Sequence, residues 1–369
     1  MDAGKSVAAL LSAGETTYNF EVDDSEVGMI KSVHFENFKA LRSAILPLGP
    51  FTLIVGPNGS GKSTAMQALR FASDPRAEEY TLERIATAGL DLTSETLVKV
   101  SINWSIAGVE TTTESGWREI NNGGFTTMGP LFTQGSHDHS FQDSVWNMLK
   151  SFRIFSFEAE AIARTVQTEP HPELGSDGSR LAAVLDALRD SHPERFEKLN
   201  RELTHWLPEF DRVLFETPAA GEKTFLLRTK TAQHQYRACD LSQGTLFALA
   251  FLTLAYLPAP PSIVCFEEPD RGIHPRLLRE IRDAMYRLAF PEEYSETRPP
   301  VQVIATTHSP YLLDLYKEHP EQIVIAHKDE QGAHFERLSE KPHITELLEG
   351  APLGDIWFSG ILGGVPSSP

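Results

Sequence analysis

One stretch narrows the choice of fold more than any other: Gly56-Pro57-Asn58-Gly59-Ser60-Gly61-Lys62-Ser63. It follows an apolar, β-rich run, Phe51–Val55, and precedes Lys62–Phe71, which reads as a helix. The pattern GxxxxGKS between a strand and a helix is a P-loop. Its glycines let the backbone wrap closely enough for N–H groups to face phosphate oxygens, and the helix behind presents its positive end. Lys62 is then placed to neutralise β- and γ-phosphate oxygens and Ser63 to ligate Mg2+, with Asn58, Gly59, Ser60, Gly61 and Thr64 completing the cradle.

A strand feeding such a loop needs a sheet, and the flanking sequence supplies one. Strands are expected at Ile30–Asn37, Ala44–Leu48 and Phe51–Val55. Beyond residue 240 helices and strands alternate: helix Gly244–Tyr256, strand Ser262–Glu267, helix Pro275–Leu288, strand Gln302–Thr306, helix Pro310–Tyr316 and strand Gln322–Ala326. Alternation of this kind implies an α/β fold with a mostly parallel sheet covered on both faces. The middle of the chain is less regular. It offers a strand at Thr96–Ile106, helices Ser179–Arg189 and Pro193–Trp206, and paired strands at Arg212–Thr217 and Thr224–Thr229. We therefore expect an acidic extension over 1–28 and one domain over 29–365. Its core is expected at 29–71 and 241–330, with an inserted helical and β lobe at 72–240 and a C-terminal tail at 331–369.

Charge and cysteine content restrict the function. The net charge of −18 opposes non-specific binding of duplex by the whole surface, since phosphate contacts need Lys and Arg. A local basic groove stays open. Cys239 and Cys265 lie in no metal-ligand spacing, and without a disulfide framework the chain suits a reducing cytoplasm. The apolar run Leu246–Leu257 is too short to span a bilayer, and the start of the chain lacks the pattern of a secretory signal.

Three further motifs extend the P-loop chemistry. Ser262-Ile263-Val264-Cys265-Phe266-Glu267-Glu268 has the form of a Walker B strand: Glu267 would reach Mg2+ and Glu268 would orient the attacking water. Most P-loop proteins carry Asp at the first position, and Glu267 is one methylene longer. Leu241-Ser242-Gln243-Gly244-Thr245, about twenty residues upstream, joins a hydroxyl, a glycine backbone and a helix N-terminus into an anion site. Thr306-Thr307-His308-Ser309-Pro310 places an imidazole where it can hydrogen-bond a γ-phosphate. Asp270, just after Walker B, is expected at an interface, whereas His274 has both an interface and a capping reading.

In this order the motifs resemble the RecF/SMC-like branch of ABC-type ATPases, in particular stand-alone proteins with an AAA-21-type domain related to the OLD family. The resemblance rests on Ile30–Lys39, the P-loop, Leu241–Thr245, Phe266–Pro275 and Thr307–Pro310, with softer matches at Gly178–Leu185 and Pro352–Gly360. It implies a P-loop fold of ABC/SMC-head type with an N-terminal antiparallel subsheet. It also implies two ATPs sandwiched in a head-to-tail homodimer, with Ser242 and Gly244 acting on the partner's nucleotide and Lys39 approaching its own. Catalytic roles then fall to Glu268, Lys62 and His308. Two departures stand out. The signature lacks the final glutamine of transporters, and neither Gln134 nor Gln142 can be placed as the Q-loop residue.

The expected activity is ATP hydrolysis driving a dimeric switch that acts on a partner protein or nucleic acid, in anti-phage defence or DNA maintenance. The alternative is an ATPase subunit whose nuclease or toxin is a separate chain. An intrinsic Toprim nuclease is disfavoured, because about sixty residues follow His308 where roughly a hundred are needed. The Glu-Glu-Pro and His-Ser-Pro motifs argue against a membrane transporter's ATPase.

Overall fold

The computed structural model describes residues 28–74, 82–88, 98–120, 124–134 and 139–362; apart from Gly28, the extension read over 1–28 lies outside them. Three strands come first, β1 (Met29–Phe38), β2 (Leu41–Pro47) and β3 (Phe51–Val55), then helices α1 (Lys62–Ser73) and α2 (Leu82–Ile85). Strands β4 (Val98–Ile106), β5 (Val109–Ile120) and β6 (Gly124–Gln134) lead to α3 (His139–Lys150) and β7 (Arg153–Phe155). Next come α4 (Ala159–Ile162), β8 (Val166–Gln167), α5 (Leu181–Ser191) and α6 (Pro193–Trp206). Strands β9 (Phe210–Glu216), β10 (Glu222–Thr229) and β11 (Gln235–Arg237) precede α7 (Gln243–Tyr256). The chain continues through β12 (Ile263–Glu267), α8 (Leu278–Ala289), β13 (Gln302–Thr307), α9 (Pro310–Asp314), β14 (Ile323–Asp329) and β15 (Gly332–Arg337). It closes with α10 (Ile344–Gly350) and α11 (Leu353–Phe358).

Six strands form the central sheet in the order β15-β14-β3-β13-β12-β7. All neighbours are parallel except β15, which pairs antiparallel with β14. Successive side chains of a strand point to opposite faces, and each face has its own core. Phe51, Leu53 and Val55 of β3 join Val264 and Phe266 of β12 in a core built with α5 to α8. Ile54, Ile263 and Cys265 face the other way, against α1 and the inner side of β1, β2 and β4. Strands buried on both faces lose polar alternation, which is why β3 and, beyond Gln302, β13 are continuous apolar or threonine runs.

The second sheet is antiparallel throughout, ordered β2-β1-β4-β5-β6. Gln302, only 5% exposed, lashes it to the central sheet. Its amide nitrogen donates to Ile30 O and Gly49 O, and its amide oxygen accepts from Ile30 N. A smaller sheet pairs β10 with β8, β9 and β11.

Two segments differ from the linear reading. The stretch 72–240, read as an insertion, contributes β4 to β6 to the N-terminal sheet and β7 to the edge of the central one. Residues 332–337, read as tail, form β15 and close the opposite edge of the central sheet. β7 is three residues long, and β15 mixes Ala333 and Phe335 with charged neighbours, so neither carries a strong strand pattern alone. The helix expected at Pro275–Leu288 opens instead with a 3-10 turn at Pro275–Leu277, where the His274 ring accepts from Arg276 N. No helix among the described residues is long and apolar enough to cross a membrane.

Candidate functional site

The P-loop leaves β3 at the carboxyl edge of the central sheet and lies against the β14–β15 hairpin. At Gly56 a Cβ would come within 2.4 Å of the Ala326 carbonyl oxygen. Gly61 adopts φ +102, and a Cβ there would meet that of Ala333 at 2.7 Å. Ser60 is buried beneath the loop, its hydroxyl without a partner among the described residues, whereas Asn58 and Gly59 are exposed at the crest.

Lys62 is 6% exposed and curls back over the loop, its Nζ donating to Gly56 O (2.6 Å) and Pro57 O (3.0 Å). Burial pulls its pKa down, and the negative charge of Glu268 opposes that. Ser63, exposed on the first turn of α1, lies beside the Glu267 carboxylate that ends β12. Burial and neighbouring Glu268 push Glu267 above the usual carboxylate range, with Ser63 acting the other way. A hydroxyl beside a half-buried carboxylate is a hard-oxygen donor pair of the kind Mg2+ takes with substrate phosphates, so these residues fit that ion. Among the described residues no group of three or more His, Cys, Asp and Glu could hold a metal by itself.

Walker B and the switch are joined by hydrogen bonds. Glu268 sits at φ +48 with its N–H donating to Thr306 O (3.1 Å) and, less directly, to Thr306 Oγ1 (3.3 Å). A non-glycine residue in that region is held there by its surroundings. Its Oε1 lies 3.1 Å from His308 Nδ1. The Thr307 hydroxyl donates to Asp270 Oδ1 at 2.8 Å. Burial raises the Asp270 pKa, partly countered by that hydroxyl.

Lys39 lies in the β1–β2 turn and donates from Nζ to Gln67 Oε1 on α1 (2.6 Å). With Gln67, Arg70, Arg84 and Glu267 it lines a cavity of about 370 Å³. Gln67 is not among the candidate residues read from the sequence, although its place one helical turn beyond Ser63 was a signal for it. Arg84 was not legible, because it reaches the site through a bridge between Phe38 and Ala86 far apart in sequence.

Ser242 and Gly244 stand apart from this cluster. Ser242 caps α7, its Oγ accepting from Thr245 N (3.2 Å). No hydrogen bond or ion pair joins either residue to 56–64 among the described residues. Gly244 abuts the loop after Walker B instead: the Gly272 carbonyl oxygen lies 3.4 Å from where its Cβ would be. Gln134 ends β6 and Gln142 lies on α3; Ser156, Phe157 and Glu158 follow the strand beside Walker B.

Residues 51–314 match the AAA-21 family model, described as "AAA domain, putative AbiEii toxin, Type IV TA system". The chain belongs to this family. Among curated relatives, the Old nuclease of Escherichia phage P2 is 21% identical over 380 residues, covering 87% of this AAA-21 chain and 63% of the relative. The OLD nuclease of Thermus scotoductus is 51% identical over 41 residues, 11% of this chain and 8% of the relative. The chain thus spans less than two thirds of either relative. The Smc head domain of Pyrococcus furiosus, solved with the C-terminal domain of ScpA, superposes with a TM-score of 0.56 at 13% identity. That match covers 88% of this chain and 99% of the other. The expected ABC/SMC-head-type P-loop fold and the kinship with OLD proteins are both met.

Proposed function

We propose that this AAA-21 chain is a cytoplasmic ATPase switch whose two composite sites close head-to-tail between two copies. The observation that carries this reading is the convergence of Lys62, Ser63, Glu267, Glu268 and His308 on one edge of the sheet, with Glu268 and His308 3.1 Å apart. ATP is the substrate. Lys62, released from the loop carbonyls, neutralises the β- and γ-phosphates. Ser63 and Glu267 hold Mg2+, which when bound offsets phosphate charge in the transition state. Glu268, its backbone pinned by Thr306, orients the attacking water and takes its proton. His308 hydrogen-bonds the γ-phosphate and Glu268 together, so its position depends on whether that phosphate remains.

The second copy contributes Ser242 and Gly244. Both lie at the N-terminal end of α7, where unpaired N–H groups and the helix dipole favour an anion. Asp270 stands on the loop between the two half-sites. The output passes to an effector protein, a nuclease or toxin on a separate chain, in anti-phage defence or DNA maintenance. The nuclease name of the OLD relatives supports that class of partner. Nucleic acid remains a second candidate target.

Glu268→Gln tests the core of the reading. ATPase should fall to background while ATP binding and ATP-induced dimerisation persist; unchanged turnover sinks it. Metal-dependent nicking of DNA by the purified chain would instead assign the cleavage to this protein rather than to a partner.

A further inference from the structure

We propose that Thr307 is a positioning residue that ties the nucleotide switch of one site to the signature loop serving the other. This rests on the ATP-sandwich reading above. β13 ends in Thr306 and Thr307, both buried. A buried hydroxyl is costly unless bonded, and valine would suit a buried strand better. Thr307 therefore needs a use for its hydroxyl, and it has two. The hydroxyl donates to Asp270 Oδ1 (2.8 Å) and accepts from Ser309 N (2.9 Å), the residue after His308. One oxygen atom thus fixes both the switch loop and the loop after Walker B.

From Asp270 the path continues by backbone. Arg271 N donates to Glu268 O (2.9 Å) and Ile273 N to Asp270 O (3.2 Å), a tight turn that puts Gly272 at φ +72. Gly272 lies directly under the signature: a Cβ there would fall 2.7 Å from the Gln243 side chain, and its carbonyl faces Gly244. His308 serves the chain's own nucleotide, whereas Ser242 and Gly244, on either side of Gln243, meet the partner's. A shift of His308 on phosphate loss is passed through Thr307 and Asp270 to Gly272 and Gln243. Each composite site thereby reports to the other within a single chain.

The test compares Thr307→Val, which keeps the shape and loses the hydroxyl, with Thr307→Ser, which keeps the hydroxyl. Steady-state ATPase against ATP concentration gives kcat, KM and the Hill coefficient, and a fluorescent ATP analogue gives the single-site Kd. With two coupled sites, the wild type should show a coefficient approaching the site number, about 2. Thr307→Val should drop it to about 1 and lower kcat roughly tenfold with Kd within about twofold, and Thr307→Ser should restore both. Gln243→Ala should also lower the coefficient, and combining it with Thr307→Val should add nothing, as expected for one path. A wild-type coefficient of 1, or an unchanged one in Thr307→Val, overturns the proposal. So does a Thr307→Val defect confined to thermal stability and not rescued by serine. Retained ATP-induced dimerisation of Glu268→Gln alongside any of these sinks this inference alone; its loss sinks the sandwich reading instead.

Discussion

Gly61 combines a positive φ with a Cβ position already taken by Ala333. Gly61→Ala should therefore strain the loop by about 1–3 kcal/mol and open it away from β15. ATP affinity, measured by calorimetry, is expected to fall at least roughly tenfold; wild-type affinity would mean the loop does not need this seating. Lys62, Ser63, Glu267, Glu268 and His308 were legible in the sequence because each belongs to a short contiguous motif. Thr306 and Thr307 stood within a recognised motif, yet their partners Glu268 and Asp270 lie nearly forty residues away. Which loop a hydroxyl meets is set by how strands are ordered, and no local pattern encodes that.

At the scale of elements, two buried polar ties make separate predictions. Gln302→Leu leaves Ile30 N–H and C=O and Gly49 C=O without their amide partner, which should cost about 2 kcal/mol or more in denaturant unfolding. A loss below 0.5 kcal/mol or so would show that water replaces the amide. Glu296, 8% exposed, binds Arg195 of α6 (2.8 Å) and Arg287 of α8 (2.9 Å). Burial would raise its pKa, but the two guanidinium groups hold it below the usual range. A depressed carboxylate stabilises the fold above its unfolded pKa of about 4.3 and loses that contribution as pH falls through the lower folded value. Glu296→Gln should therefore cost about 3 kcal/mol at neutral pH, and its gap in thermal melting from the wild type should begin to narrow as pH falls below about 4 and keep narrowing as the acidity rises. A gap independent of pH would discard the ionic explanation. Helix α7 was plain from its apolar length, and β12 and β13 from the apolar stretches Ile263–Phe266 and Val303–Ala305. β7 and β15 were not, since a short edge strand is stabilised by the strand it joins more than by its own residues.

At the scale of the molecule, the proposed head-to-tail sandwich makes a mixing prediction. Lys62→Ala disables a P-loop and Ser242→Arg disables a signature, so each homodimer should be inactive. An equimolar mixture restores one intact site in half of the dimers, giving up to about a quarter of wild-type ATPase if two-fold pairing builds each site from both chains as proposed. No recovery, with dimerisation retained, would show that each chain completes its own site. The sequence alone determined that a phosphate-binding loop joins a strand to a helix at Gly56–Ser63, because that spacing dictates its own local backbone. It also marked the apolar strands that must be buried on both faces. Tertiary structure decided the strand order, the capture of β15 beside β14, the approach of Lys39 and Arg84 to Glu267, and the link from Thr307 to Asp270. Those contacts join residues that only packing brings together, and packing is a property of the whole core rather than of any window of sequence.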